Sequence, residues 1–332
     1  MNSDPATAHN DPVGVRIDRI LVPCALERLI QVGNPKSGAQ RLVRNARNHG
    51  IDLGLVWGVL GNTDRDEPAV RQVCMIVPGA GGTGMCFISN PKNETKQAGL
   101  GSREVQIQEI GASLTAALQD LPTVARDRIK VAQMLFEPDQ DWAHEIARNA
   151  GMISVGTLDY MRLGFDQVST WSNEAPNWPS GIRVRPIKTM EADHDLLSEA
   201  LERSYEDTLD CPELCGMRTM DDVIESHKST GEFDPSRWWL LLDGDRPAGC
   251  CLLAHCPANE SVELVYIGLS KRVQGHGFGE RLLRHALGHL RIKDRVLDVT
   301  CAVDRRNIPA SKVYSRLGFQ VFDARCAYVR SI

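Results

Sequence analysis

The chain is predicted to be a mixed α/β protein of two lobes of about equal size. Three observations predict it. Residues 166–181 (DQVSTWSNEAPNWPSG) are rich in Ser, Asn, Pro and Gly and show no periodicity, which marks a linker. The second half reads as clustered strands followed by strands alternating with helices, the pattern of a mixed, mostly antiparallel sheet flanked by helices. The first half repeats part of that pattern. AHEIARNAGM, residues 143–152, matches ASKVYSRLGF, residues 310–319, in its alanine, its apolar fourth position (Ile146, Val313), its glycine and the large apolar residue that follows. One repeat of that size suggests duplication.

Residues 1–14 are polar, with no apolar core to the segment, and are expected to be a frayed tail. The lobes are then residues 15–165 and 182–332. In the first, residues 70–79 and 85–89 read as strands, 103–121 as a helix, 129–136 as a strand, 143–152 as the repeated helix and 154–161 as a strand. In the second, a strand over 182–187 leads to a helix over 192–205 with Leu196, Leu197, Ala200 and Leu201 on one side. Strands over 238–242 and 248–254 flank a turn at Gly244. A strand over 262–269 is followed by a helix over 278–290 with Leu282, Leu283, Ala286, Leu287 and Leu290 on one face. Residues 296–303 alternate as a strand, 310–317 form the repeated helix, and 319–330 close the lobe as a terminal hairpin.

The 332 residues are 42% hydrophobic and 24% charged, with a net charge of −5, which excludes a disordered chain, a collagen and a small disulfide scaffold. Neither half is basic, so no nucleic-acid partner is implied. Cys74, Cys86, Cys250, Cys251, Cys301 and Cys326 lie in apolar runs, where a free cysteine acts as a small hydrophobe. Without an apolar stretch long enough to span a membrane, a reduced, cytoplasmic protein is expected. Cys211 and Cys215 lack the further ligands that a zinc site needs, and no metal is expected.

The most informative segment is VELVYIGLSKRVQGHGFGERLLRHAL, residues 262–287. A strand runs into Gln274, Gly275, His276, Gly277, Phe278 and Gly279, and an amphipathic helix follows at once. Glycines let a backbone approach a ligand closely, and amides at a helix start bind phosphate oxygens. This loop should hold a phosphate or pyrophosphate. No Gly-Lys-Ser/Thr follows, so it is not a kinase-type phosphate loop. A dinucleotide-binding reading would need a glycine at Glu280 and an acid near Asp298, and too little chain follows for that fold.

The pattern Gln/Arg-x-x-Gly-x-Gly/Ala between strand and helix, matched by Gln274, Gly277 and Gly279, resembles the acetyl-CoA pyrophosphate loop of the GNAT superfamily of N-acyltransferases. A second element agrees: Asn307-Ile308-Pro309-Ala310, then Tyr314, then Gly318-Phe319. The match covers about residues 183–332, and the repeat extends it to a tandem pair of GNAT-like lobes. The resemblance implies acetyl transfer from acetyl-CoA, as co-substrate, to an amine-bearing acceptor. It places Tyr314 to protonate the leaving thiolate, although a core aromatic would look the same. Backbone groups of Ile267, Gly268 and Leu269 would serve the acyl oxygen and pantetheine, with Gly268 permitting a bulge. Asn307, beside Ala310, either binds pantetheine or caps its helix.

Strand alternation puts Glu263, Val265 and Ile267 on one face and Leu264, Tyr266 and Gly268 on the other. A carboxylate in an apolar strand is costly unless it is used or solvated, and Glu263 either accepts the amine's proton or begins the strand in solvent. Lys271 and Arg272 meet nucleotide phosphates or are solvated loop charges. The segment over 204–223 would roof the acceptor pocket, and its Glu206, Asp207, Asp210 and Glu213 would favour a cationic amine unless it is an ordinary polar loop. The first half has Ala147 opposite Tyr314 and Gln140 opposite Asn307, and Ala98 to Gly101 look like a relic of the glycine loop. That lobe is expected to be catalytically inert. The rival to an enzyme is a non-catalytic acyl-CoA-binding sensor or scaffold.

Overall fold

The computed structural model describes residues 11–48, 50–62, 68–92, 101–171, 176–292 and 294–332. The expected tail (except residues 11–14), Ala98 to Leu100 and part of the linker lie outside the described residues. The first half supplies strands β1 (Val15–Arg16), β2 (Val56–Asn62), β3 (Pro68–Gly79), β4 (Thr83–Ile88), β5 (Val131–Phe136) and β6 (Ile153–Gly164). Its helices are α1 (Val22–Leu29), α2 (Pro35–Asn48), α3 (Arg103–Val124), α4 (Asp141–Asn149) and the short α5 (Phe165–Ser169). The second half supplies β7 (Ile182–Pro186), β8 (Trp238–Asp243), β9 (Arg246–Cys256), β10 (Ser261–Leu269), β11 (Asp298–Asp304) and β12 (Gln320–Ser331). Its helices are α6 (Met190–Tyr205), α7 (Met220–Lys228), α8 (Phe278–Gly288) and α9 (Ile308–Leu317).

The mixed α/β reading holds. Among the described residues these twelve strands form one sheet, in the order β1-β2-β3-β4-β5-β12-β6-β11-β10-β9-β8-β7. Each half contains one parallel pair, β4 with β5 and β10 with β11, and the other pairings are antiparallel. At the centre the halves exchange their last strands. β12, from the second half, pairs with β5 through Cys326–Phe136 to Ser331–Val131, and β6, from the first, pairs with β11 through Asp298–Gly164 to Asp304–Leu158. The two exchanged strands also pair with each other.

The terminal hairpin expected over 319–330 is instead this single long strand. With β5 on one side and β6 on the other, β12 has its backbone partners without turning back on itself. The helices that follow each strand of the parallel pairs, α3, α4, α8 and α9, cover one face of the sheet. Their cores hold Trp57, Ile76, Leu114 and Tyr328 in the first half and Leu264, Leu282, Val299 and Phe319 in the second. α1, α2, α6 and α7 cover the other face, over Leu26 and Val73 and over Leu201 and Leu240. Thr189 caps α6 by accepting the Ala192 amide at 3.2 Å, and Thr219 and Asp222 close α7 with a reciprocal capping box. No helix among the described residues is long and apolar enough to cross a membrane.

Candidate functional site

The site is built where β10 and β11 part. They pair only at Ser261–Asp298, Val262–Val299 and Glu263–Thr300. Beyond Glu263 the β10 backbone that faces β11 has no strand partner there, and a cleft opens between the two. An extra residue enters β10 in its pairing with β9, between Leu264 and Tyr266. This bulge corrects the expected alternation. Val265 and Tyr266 both pack toward the α6 core, and Ile267 and Leu269 turn to the α8 core with Leu264. It also moves the irregularity away from Gly268. A Cβ at Gly268 would come within 2.3 Å of Tyr266 Oη and 2.7 Å of Ser204, so the glycine is needed for close packing under α6.

At the mouth of the cleft, Gln274 donates its side-chain amide to Leu269 O at 2.8 Å and ties the loop to the strand end. Gly275 and Gly277 have φ of +79° and +74°, and a side chain at either would meet nothing within 4 Å. Gly277 is the N-cap of α8 and offers no side chain to its first amides. Those amides have no side-chain cap, and the positive end of the helix dipole lies behind them. His276 is exposed and bonds Gln274 O at 2.8 Å, Phe278 is buried below it, and Gly279 lies 3.7 Å from Leu269 on its would-be Cβ. A polyanionic group such as the diphosphate of coenzyme A fits this cradle. Lys271 is paired with Asp207, and Arg272 with Asp243 at 2.7 Å.

Glu263 is half-buried on β10, and burial pushes its carboxyl above the usual range. Tyr314 is buried on α9 against Phe319, their rings 5.6 Å apart, and burial first, then Cys301 and Asp210, hold its phenol well above 10. Asn307 accepts the Ala310 amide at 3.2 Å, so it is the cap of α9.

In the acidic segment after α6, most of the carboxylates already have partners within the chain. Asp207 pairs with Lys271. Asp210 accepts the Asp304 amide at 2.9 Å, and Glu213 binds Arg306 at 2.7 Å. Glu206 is exposed. The segment is thus fastened to the end of β11, and Cys211, Leu214 and Met217 pack on Val155 and Val329 of the exchanged strands.

Two features of the site were not read from the sequence. Tyr266 Oη lies 2.8 Å from Ser204 Oγ, and its ring stacks on His227, whose charged form is disfavoured by burial to a pKa of about 4. Tyr160 comes from the first half. It stands opposite Ala302 on β11, two residues along from the Thr300 that pairs with Glu263, and its ring contacts Phe322 at 6.5 Å. No local signal announces Tyr160, because only the strand exchange carries it there.

In the first half, the counterpart helix α4 has Ala147 fully buried and Gln140 at its N-cap without a side-chain cap bond. Gly101 has φ of +74° and precedes Ser102, which caps α3 by accepting the Val105 amide.

The acetyltransferase (GNAT) family profile matches residues 199–319. A mycothiol acetyltransferase of Actinosynnema mirum is 30% identical over 221 residues, 66% of this chain and 69% of that protein. A second, from Mycolicibacterium gilvum, is 34% identical over 115 residues, 32% of this chain and 37% of its own length. A solved GCN5-related N-acetyltransferase from Sphaerobacter thermophilus has the same fold, with a TM-score of 0.55 at 18% identity, covering 98% of this chain and 97% of that one.

Proposed function

The chain belongs to the GNAT acetyltransferase family, and from that premise we propose that it moves an acetyl group from acetyl-CoA directly to an amine, with the chemistry in the second half. The observation that carries this reading is the open, uncapped glycine turn at α8 above the parting of β10 and β11. When bound, acetyl-CoA supplies an activated acyl thioester. The amides of Gly277, Phe278 and Gly279 hold phosphate oxygens, and the edge of β10 from Ile267 to Leu269 that β11 leaves open serves the acyl carbonyl. Glu263 accepts the proton of the acceptor ammonium, directly or through a water. Its burial brings its proton affinity closer to that of an amine at neutral pH. Tyr314 keeps its phenolic proton until the thiolate leaves and then gives it up at Oη. The first half contributes a wall of the cleft and no proton transfer of its own, since Ala147 stands in place of a tyrosine.

A small amine acceptor suits a cleft whose roof keeps its own carboxylates paired, and the relatives' name makes a mycothiol-type acceptor the first to assay. Replacing Tyr314 by Phe tests the reading. Turnover, followed by thiol release, should fall about 100-fold, while calorimetry shows acetyl-CoA bound as before. Full activity in Y314F sinks the acid role. Absence of turnover in the unmodified protein across a screen of amines, with acetyl-CoA bound, would instead identify a sensor.

A further inference from the structure

The first half contains a cavity of about 400 Å³ where β4 and β5 part beyond Met85 and Gln133. It lies in the first half where the catalytic cleft lies in the second. Leu42, Met75, Phe136 and Trp142 line it, and Phe87, 46% exposed, puts apolar surface on its wall. Among the described residues, the polar groups in the lining are side-chain amides such as Asn45 and Gln140, with no acidic, basic or histidine side chain. A volume of this size falls within the range of small-molecule sites. A charged ligand would lose its hydration here and gain no counter-charge.

The helix that follows β4 points the same way. Ser102 already closes the start of α3, and Glu104 puts a carboxylate in its first turn, held below its usual range by its own backbone N–H and then by Ser102. The start of α8 has no side-chain cap, and its first-turn carboxylate, Glu280, is neutralised by Arg316 at 2.9 Å. One half is therefore arranged for a polyanion and the other is not.

We propose that this cavity is a binding site for a neutral, largely apolar small molecule with a carbonyl or amide function, held without chemistry. The apolar walls desolvate the body of the ligand, and Asn45 and Gln140 hydrogen-bond its polar end. Among the described residues of the wall, none takes or gives a proton at neutral pH, so the ligand leaves unchanged.

The test uses the full chain and N-phenyl-1-naphthylamine, a neutral fluorophore that brightens when desolvated. One saturable site per chain is expected, with its affinity unchanged by saturating acetyl-CoA. Ala46 lines the cavity and is buried. Ala46→Phe should weaken binding at least tenfold, and the smaller Ala46→Leu about threefold, with thermal melting and far-UV circular dichroism checking that each variant folds. Hexanamide should displace the dye and hexanoate should not. The proposal is overturned by absence of saturable binding, by displacement with acetyl-CoA, by undiminished affinity in a folded Ala46 variant, or by hexanoate competing as well as hexanamide.

Discussion

Asp304 donates its backbone N–H to the Asp210 carboxylate at 2.9 Å, while its own carboxylate accepts the Cys211 amide at 3.2 Å. This reciprocal pair fastens the roof of the acceptor side to the end of β11. Asp210→Ala removes the acceptor and leaves a buried amide unmade, at a cost of about 1–3 kcal/mol. Asp210→Asn keeps an oxygen for the Asp304 amide and should cost less. If the roof positions the acceptor, D210A raises the acceptor KM roughly tenfold, equivalent to about 1.4 kcal/mol, and leaves acetyl-CoA affinity alone. Steady-state kinetics on both variants decide it, and equal effects of Ala and Asn would remove the hydrogen bond from the explanation.

Glu263 gives a pH signature. Its carboxyl is raised by burial, so the carboxylate proposed to take the acceptor's proton is lost as pH falls through a point above the ordinary 4.5. The acidic limb of kcat/KM should inflect above 4.5, and Glu263→Gln should abolish that limb along with most of the rate. For stability the sign is the opposite of an ion pair's. The folded state holds this proton more tightly than the unfolded state, so the group's contribution to stability declines as pH rises through the window above 4.5. E263Q, neutral at every pH, should flatten that decline in a series of urea melts.

Asp193 runs the other way. Arg185 grips it with two bonds of 2.7 and 2.8 Å and the Lys188 amide adds a third at 2.7 Å, and the Arg185 pairing pulls its pKa down to about 2. The stability from this group is present above pH 3.8 and is lost as pH falls from there through about 2. Asp193→Asn should destabilise the protein by about 3 kcal/mol, with a penalty that shrinks in acid. A penalty independent of pH would show that the ion pair is not its source.

The exchange of β6 and β12 predicts that residues 176–332 do not fold alone. Without β6, β11 has no partner on that side, and β12 has lost both neighbours. The isolated fragment should aggregate or lack a cooperative melt. Addition of residues 11–171 as a separate chain should restore both a sharp transition and turnover. A soluble, active fragment would mean that the catalytic half keeps its own last strand when left alone.

The glycine turn and the α9 cap were legible because their signals are local. Gly277 must take a positive φ at the start of a helix, and Asn307 stands three residues before the amide it caps. The position of the bulge was not legible, since Gly268 was expected to carry it. Glu263, Leu264 and Val265 read as a plain strand, and the extra residue is fixed by how β10 registers against β9. The pairing of the acidic segment was not legible for a related reason. The charges of Asp207 and Glu213 are visible in the sequence, but Lys271 and Arg306, which occupy them, lie far along the chain. Tyr160 beside β11 was the least accessible, since the pairing that brings it there joins opposite halves of the chain.

The exchanged strands also set an order of events during synthesis. β5 ends at Phe136, and the strand that completes its edge begins at Gln320. At ordinary ribosomal speed the interval is on the order of ten seconds or more. Throughout it the nascent first half presents an open edge built for an antiparallel partner, the arrangement that invites pairing with a neighbouring chain. Two nascent chains on one messenger would each offer the strand that the other lacks. An intertwined dimer is therefore the characteristic error of this topology, and chaperone demand should be greatest before the last strand emerges.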